Sequence, residues 1–165
     1  MNVAMAMPTN RNELEARQDP RLLRALDTVA PGTPLREGID NIIHARTGGL
    51  IVIARAEEIS FMISGGIRLD VDYSPALLYQ LAKMDGAIVL DPDTLRICWA
   101  NVQLMPDPTI LSSETGTRHR TAERVSKQSR ALVIAISQRR DVVSLYAEGI
   151  KYILEDISTV LSKAN

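Results

Sequence analysis

The sequence predicts an α/β domain in which helices flank a mixed β-sheet on both faces. Three short, continuous apolar runs bounded by turn residues, at 50–54, 87–90 and 132–136, are typical of buried strands. Segments with apolar residues at helical spacing alternate with these runs. Two pairs of strand-like segments separated by short turns predict antiparallel hairpins, so the sheet is not purely parallel.

Two helices are predicted before the first strand. The first shows apolar residues at helical spacing, namely Leu22, Leu23, Leu26 and Val29. The second has a favourable start, because Thr33 can cap it and Pro34 suits its first turn. The pair Gly48 and Gly49 is expected to end this helix.

The middle of the chain predicts short strands, one helix and one hairpin. Segments 61–63 and 67–69 are expected to be strands around Gly65 and Gly66. Ser74 and Pro75 predict another helix start. The strand at 87–90, the turn at 91–94 and a longer strand at 95–105 predict a hairpin.

The last part predicts a loop at 112–117, a polar helix at 119–128, the strand at 132–136 and a hairpin of 142–146 with 150–154. Apolar residues then continue at helical spacing from Ile153 to the last residue. We therefore expect an N-terminal, partly disordered segment at 1–19, one domain at 20–155, and at 156–165 the start of a helix that continues in the natural polypeptide.

Composition narrows the class of protein. A chain of 165 residues suits one domain, and 45% hydrophobic with 24% charged residues excludes a mostly disordered chain. Its apolar runs are too short to span a membrane, so a cytoplasmic protein is expected. The single cysteine, Cys98, excludes an internal disulfide. A net charge of −1 and 4% aromatic residues argue against a general nucleic-acid-binding surface.

Asp85-Gly86-Ala87 is the first candidate for chemistry. It lies between a predicted helix and a predicted strand, where glycine permits an unusual backbone angle or the close approach of a ligand. The carboxylate of Asp85 could hold a hard cation such as Mg²⁺. The alternative is an ordinary turn, for which Asp-Gly is a common pair.

The basic segment around 115–121 is the second candidate. Arg118, His119 and Arg120 begin a helix, where the positive end of the helix dipole disfavours cations unless an anion is bound. Arg124 and Lys127 follow Arg120 on one face, and Glu123 can pair with Lys127. A polyphosphate fits this pattern; the alternative is a solvated basic helix face.

Together these segments resemble the diadenylate cyclase domain family. The resemblance rests on Asp85-Gly86-Ala87, followed by Arg118-His119-Arg120 within the segment Ser-Glu-Thr-Gly-Thr-Arg-His-Arg-Thr-Ala-Glu-Arg, and it covers most of the chain. It implies that two ATP molecules are joined into cyclic di-AMP with release of two pyrophosphates. Each protomer of a homo-oligomer would hold one ATP, and two protomers would face each other.

The resemblance also implies residue roles. Asp85 would hold Mg²⁺ or Mn²⁺ and help to activate a 3′-hydroxyl that attacks an α-phosphorus. Gly86 would lie against the nucleotide, and Leu104 would pack on adenine. The phosphate-binding residues would be Thr117, Arg118, His119, Arg120, Thr121 and Ser137, of which Arg118, His119 and Arg120 would also act in catalysis.

Other functions remain open from the sequence. The domain could bind ATP or a cyclic dinucleotide without turnover, as an oligomerisation module of a protein that scans DNA. It could also be a scaffold that presents a DNA-binding domain. DNA would then be bound only through a C-terminal domain beyond this chain, and no membrane is expected as a partner. A pure binder has less need of the Asp85 carboxylate, which favours the enzyme.

Overall fold

The computed structural model describes residues 20–154, without the side chains of Arg21 and Leu22. The expected segment at 1–19 and the expected C-terminal helix at 156–165 lie outside these described residues.

The described chain alternates helices and strands. The helices are α1 (Pro20–Thr28), α2 (Pro34–Ala45), α3 (Ala56–Ile59), α4 (Pro75–Ala82) and α5 (Thr117–Gln128). The strands are β1 (Gly49–Ile53), β2 (Ile63–Ser64), β3 (Ile67–Val71), β4 (Ala87–Leu90), β5 (Ile97–Leu104), β6 (Leu132–Ile136), β7 (Val143–Ala147) and β8 (Ile150–Leu154). A 3₁₀ turn, Ser60–Met62, precedes β2.

The strands form one mixed eight-stranded sheet in the order β2-β5-β4-β1-β6-β7-β8, with β3 also paired to β5. β1 and β4 are parallel, whereas the other pairs are antiparallel. Both expected hairpins, β4 with β5 and β7 with β8, are present. The α/β class with a mixed sheet is confirmed.

Helices cover both faces of the sheet, as expected. Along β1, Ile51 and Ile53 face the core formed with α1, α2 and α4, whereas Val52 faces the core formed with α3 and α5. Since successive side chains point to opposite faces, a strand covered on both sides must be apolar at every position. This is the physical reason for the continuous apolar runs.

Two predicted helix starts are confirmed, and one predicted end is wrong. Thr33 Oγ1 accepts a hydrogen bond from the Arg36 amide at 3.2 Å, and Ser74 Oγ accepts one from the Leu77 amide. Helix α2, however, ends at Ala45, and its C-cap residue Arg46 adopts the left-handed conformation with φ 57°. The αL cap therefore falls on an arginine that precedes the glycine pair.

One further expectation was wrong, and one overlap between two expectations was resolved. The segment 61–63 is mostly the 3₁₀ turn, and only Ile63 begins a strand; the short helix α3 before it was not predicted. Ile153, which fitted both the predicted strand 150–154 and the start of the predicted C-terminal helix, belongs to the strand β8. Tyr152 and Leu154 point inward, and Ile153 is 53% exposed. That alternation is the period of a strand, and pairing with β7 selects it over the overlapping helical spacing.

Candidate functional site

One edge of the sheet gathers the two segments singled out from the sequence. Gly49, which begins β1, pairs with Ile136, which ends β6, and Ala87, which begins β4, pairs with Val102 near the end of β5. The starts of β1 and β4 and the ends of β5 and β6 therefore lie at the same edge. The start of α5 is there too, because Arg118 Nη1 donates a hydrogen bond to the Ile136 carbonyl at 3.1 Å.

A small cleft of 130 Å³ at this edge brings Asp85, Gly86 and Arg118 together. Its other lining residues are Thr47, Gly48, Gly49, Leu50, Ala82, Lys83 and Met84. Asp85 is exposed and Arg118 is half-buried. A carboxylate and a guanidinium from distant parts of the chain therefore share one cavity.

Gly86 packs directly against β5. Its φ is +88°, and a Cβ there would lie 2.8 Å from the Val102 carbonyl oxygen and 2.9 Å from the Asn101 carbonyl carbon. The β4–β5 register shifts immediately beyond, between Ala87 and Val89. The unusual backbone angle expected of Gly86 is thus present, and its neighbour in this structure is the backbone of β5.

Gly48 leaves the space that the Arg118 guanidinium occupies, and sequence reasoning missed this role. Gly48 has φ +68°, and a Cβ there would lie 2.6 Å from Arg118 Nη1. The guanidinium passes over this glycine to reach the Ile136 carbonyl. Because only glycine leaves room for that path, the pairing of Gly48 with a distant arginine could not be read from either segment alone.

Helix α5 begins with free amide groups. Gly116 is its N-cap and provides no side-chain capping bond. The first amides of an α-helix have no intrahelical partner and carry the positive end of the dipole. Thr117 and Arg120 are exposed beside them, whereas Thr121 is half-buried. Such an arrangement can accept an anion, and phosphate binding by this segment stays a prediction.

His119 is half-buried next to Tyr146 of β7, with ring centroids 6.5 Å apart in an edge-to-face arrangement. Burial lowers the pKa of His119 below its ordinary value; the Lys151 and Arg118 cations act in the same direction, and Glu114 opposes them. The imidazole is therefore neutral near pH 7 and can donate or accept a hydrogen bond.

Glu114 is a second residue that sequence reasoning missed. Its Oε1 accepts a hydrogen bond from Tyr146 Oη at 2.9 Å and lies 2.7 Å from Lys151 Nζ. Burial opposes ionisation of this carboxyl, but the bonds from Lys151 and Tyr146 outweigh it, and the pKa of Glu114 lies below its ordinary value. Glu114 lies within the segment that the sequence analysis singled out. Its role was missed because its partners, Tyr146 and Lys151, lie on a hairpin distant in sequence.

The basic face of α5 takes partners other than those expected. Arg124 Nε donates to the Ile110 carbonyl at 2.9 Å, and Lys127 Nζ donates to the Leu111 carbonyl at 2.7 Å. Glu123 is buried and accepts the Ser113 amide at 3.1 Å instead of pairing with Lys127. Arg124 and Lys127 thus hold the preceding loop, so the basic segment is neither wholly a ligand cradle nor wholly a solvated face.

Leu104 and Ser137 lie at the same edge of the sheet but outside the lining of the cleft. Leu104 ends β5, is half-buried and pairs with Ile63 of β2. Ser137 directly follows β6, and its Oγ accepts the Arg140 amide at 3.1 Å. Ser137 is the neighbour of Ile136, whose carbonyl holds Arg118.

A larger cleft, of 420 Å³, opens at the opposite edge, and none of the candidate site residues lines it. Its charged groups balance: they are Arg24, Arg55, Arg130, Glu58, Asp93 and Glu148. Arg55 and Asp93 form an ion pair at 3.0 Å. We assign the candidate site to the smaller cleft because both Asp85 and Arg118 line it.

The groups available for a metal are few. Within residues 20–154, no three His, Cys, Asp or Glu side chains cluster to form a complete metal site. Asp85 is a single exposed carboxylate beside a cleft that also holds an arginine. Mg²⁺ commonly uses one or two carboxylates together with substrate phosphates, so this donor set fits a metal that arrives with a nucleotide.

Fold and site together define a mixed α/β domain with a polar cleft and an uncapped helix start at one sheet edge. A family model described as "DisA bacterial checkpoint controller nucleotide-binding", abbreviated DAC, matches residues 36–151. The chain belongs to this DAC family.

Curated relatives agree with this assignment. The chain is 60% identical over 148 residues to the DNA integrity scanning protein DisA of Carboxydothermus hydrogenoformans, a match that covers 90% of this chain and 42% of that protein. It is 54% identical over 153 residues to DisA of Clostridium tetani, covering 93% of this chain and 42% of that protein. The chain therefore spans about two fifths of the length of these relatives.

Solved structures share the fold. A hypothetical membrane spanning protein from Bacillus cereus is 27% identical, with a TM-score of 0.65, over 74% of this chain and 62% of the other. A double mutant of DacA from Staphylococcus aureus is 20% identical, with a TM-score of 0.61, over 94% and 95%. In the described part of this chain, no helix has the length and apolar character needed to cross a bilayer.

Proposed function

We propose that this chain is a diadenylate cyclase domain that condenses two ATP molecules into cyclic di-AMP and releases two pyrophosphates. The observation that carries the proposal is the cleft at the start of α5 that both Asp85 and Arg118 line. A carboxylate beside a guanidinium and free helix amides suits a polyphosphate accompanied by a cation. Membership of a nucleotide-binding family supports the same ligand class.

In this proposal the nucleotide lies along the sheet edge. Its phosphates contact the start of α5 and the residue after β6, and its adenine packs on the end of β5. Gly86 lies against the nucleotide, and Leu104 packs on adenine. The phosphate-binding residues are Thr117, Arg118, His119, Arg120, Thr121 and Ser137. Arg118, His119 and Arg120 also stabilise the charge that develops at the reacting phosphate.

Asp85 would hold a Mg²⁺ or Mn²⁺ ion. When bound, this ion would supply charge neutralisation at the α-phosphate and would favour ionisation of the attacking hydroxyl. The chain's own groups hold the phosphates in one orientation by hydrogen bonds from amides and guanidinium nitrogens. Phosphoryl-type transfer depends mainly on such positioning and charge stabilisation.

Ring closure is proposed to occur between two facing protomers. The 3′-hydroxyl oxygen of one ATP attacks the α-phosphorus of the other, and a P–O3′ bond forms. The bond from the α-phosphorus to the oxygen that bridges it to the β-phosphate breaks, pyrophosphate leaves, and the hydroxyl proton is released to solvent. The second ATP reacts in the same way in return. Because each chain offers one Asp85 and one start of α5, it holds one ATP, so a two-fold symmetric pair suits the reaction.

The experiment is direct. The 165-residue chain is incubated with ATP and Mg²⁺ or Mn²⁺, and the products are separated by chromatography. Cyclic di-AMP and two pyrophosphates per ring are expected. If ATP binds to an assembled sample but no cyclic dinucleotide forms, the alternative of a non-catalytic ATP or cyclic-dinucleotide binding module would replace the enzyme.

A further inference from the structure

A polar cluster outside the cleft links the loop before α5 to the β7–β8 hairpin. Glu114 is at its centre, and its side chain is 15% exposed. Tyr146 and Lys151, which face each other across β7 and β8, both reach the Oε1 atom of Glu114. Tyr146 is fully buried, and burial raises the pKa of its phenol well above the ordinary value, so the hydroxyl remains a donor.

The same cluster forms the surroundings of His119. The Tyr146 ring presents its edge to the imidazole, and the Lys151 ammonium lies 6.0 Å from the centre of that tyrosine ring. The charged groups that act on His119 come from three elements: Glu114 from the loop, Lys151 from β8 and Arg118 from α5 itself. The Tyr146 ring and the Glu114 carboxylate therefore both belong to the immediate surroundings of the His119 imidazole.

The loop has separate anchors that do not involve the hairpin. Ser113 is bound by Glu123, and the Ile110 and Leu111 carbonyls are bound by Arg124 and Lys127, all from α5. The bonds of Glu114 are those that tie this part of the loop to β7 and β8. Their loss would leave the loop attached to α5, and the Gly149 amide bound to Ser126 Oγ would still hold the hairpin to that helix. It would, however, remove the hydrogen bonds that join the loop to Tyr146 and Lys151 beside His119.

We propose that Glu114, held by Tyr146 and Lys151, is a positioning residue that orients His119 for contact with the bound phosphates. We call these three residues the hairpin clamp. The inference rests on the proposed function, since it assigns a purpose to the orientation of His119. It predicts that the clamp acts through geometry, by the hydrogen bonds that Glu114 accepts, rather than through the negative charge of Glu114.

Two substitutions of one residue separate geometry from charge. Glu114→Gln and Glu114→Ala both remove the charge, but only glutamine keeps an oxygen that accepts bonds from Tyr146 and Lys151. We expect Glu114→Gln to keep cyclase kcat within about threefold of wild type and Glu114→Ala to lose about tenfold or more, mainly in kcat, because small misplacements of reacting groups are expensive. Tyr146→Phe, which keeps the ring, should fall between them.

Histidine NMR of the nucleotide-free chain gives a readout that needs no activity. The chain has two histidines, His44 and His119, so His44 serves as an internal reference. At one fixed pH, the His119 ring signals should stay near their wild-type positions in Glu114→Gln and move in Glu114→Ala. Tyr73→Phe is the matched control, because it also removes a tyrosine hydrogen bond, to the Pro34 carbonyl, away from the site.

The outcomes are distinct. If Glu114→Ala and Tyr146→Phe lower thermal stability as Tyr73→Phe does but leave kcat and the His119 signals unchanged, the clamp is only structural and the inference is overturned. If Glu114→Gln is as damaging as Glu114→Ala, charge rather than geometry matters, and it is likewise overturned. If wild type makes no cyclic di-AMP, the proposed function fails, while the NMR comparison still decides whether the clamp orients His119.

Discussion

At the scale of single residues, two glycines shape the site because they carry no side chain. Gly48 leaves space for the Arg118 guanidinium, and Gly86 leaves space for the backbone of β5. Arg118 is oriented by its hydrogen bond to the Ile136 carbonyl. Because an oriented guanidinium loses less freedom on binding, this arrangement favours phosphate binding by preorganisation.

Gly48→Ala tests that arrangement. Both the positive φ and the 2.6 Å approach to Arg118 Nη1 oppose a methyl group, so the guanidinium should be displaced and ATP affinity should fall about tenfold. Gly65→Ala is the matched control, since Gly65 has nearly the same φ, +65°, with nothing within 4 Å of its Cβ position. Calorimetric titration with ATP should show a lower affinity for Gly48→Ala than for Gly65→Ala. Equal affinities would show that Gly48 does not control the position of the Arg118 guanidinium.

Asp85→Asn tests the carboxylate. An amide keeps the shape of the side chain but loses the negative charge that a divalent cation requires, so turnover should fall at least a hundredfold while ATP binding changes little. Product formation and ATP binding are measured on the same sample. Cyclisation at a rate close to wild type would remove Asp85 from the proposed site.

At the scale of elements, the buried strands were the most predictable part of the molecule. Their continuous apolar runs follow from helices on both faces, and Ser74 and Thr33 marked helix starts correctly. Where a segment fits both a helical and a strand pattern, its pairing with another strand determines which structure forms. Ile153 fitted a helical and a strand pattern equally, and its place in β8 depends on β7, which no local spacing reveals.

His119 of helix α5 predicts how folding stability depends on pH. Its pKa in the folded chain is lowered from 6.5, so the unfolded chain binds more protons as the pH falls below that value. Folding stability should therefore decrease as the pH falls through 6.5 toward the lower folded pKa. For His119→Gln the dependence of Tm on pH should be flatter between about pH 7 and 5. Identical slopes in wild type and variant would contradict the lowered pKa.

The positive start of α5 gives a second prediction. Arg120 is exposed there, so Arg120→Ala should stabilise the nucleotide-free chain by about 0.3–1 kcal/mol and weaken ATP binding. Arg139→Ala, which removes an exposed arginine from the loop after β6, is the control for a general change in net charge. Thermal unfolding without nucleotide measures the change in stability, and calorimetry with ATP measures the change in affinity. A loss of stability in Arg120→Ala would contradict the explanation by repulsion from the positive end of the helix dipole.

At the scale of the whole molecule, the mixed sheet explains why the site was only partly predictable. Asp85 precedes its strand, whereas ligands of parallel sheets bind where strands end. Because β5 and β6 run antiparallel to β4 and β1, their ends meet the starts of those strands at one edge. The two segments were each visible in the sequence. Their common edge, and the roles of Gly48 and Glu114, depend on pairings between distant residues.

Assembly is the last prediction. If two facing protomers each hold one ATP, specific activity should fall on dilution once the pair dissociates. Holding both nucleotides in attack geometry makes the step effectively unimolecular, an advantage of up to about 7–11 kcal/mol that a separated protomer loses. Activity is measured across a dilution series whose molecular mass is followed by light scattering. Constant specific activity in a sample shown to be monomeric would refute the facing pair, since one start of α5 and one Asp85 cannot serve both nucleotides.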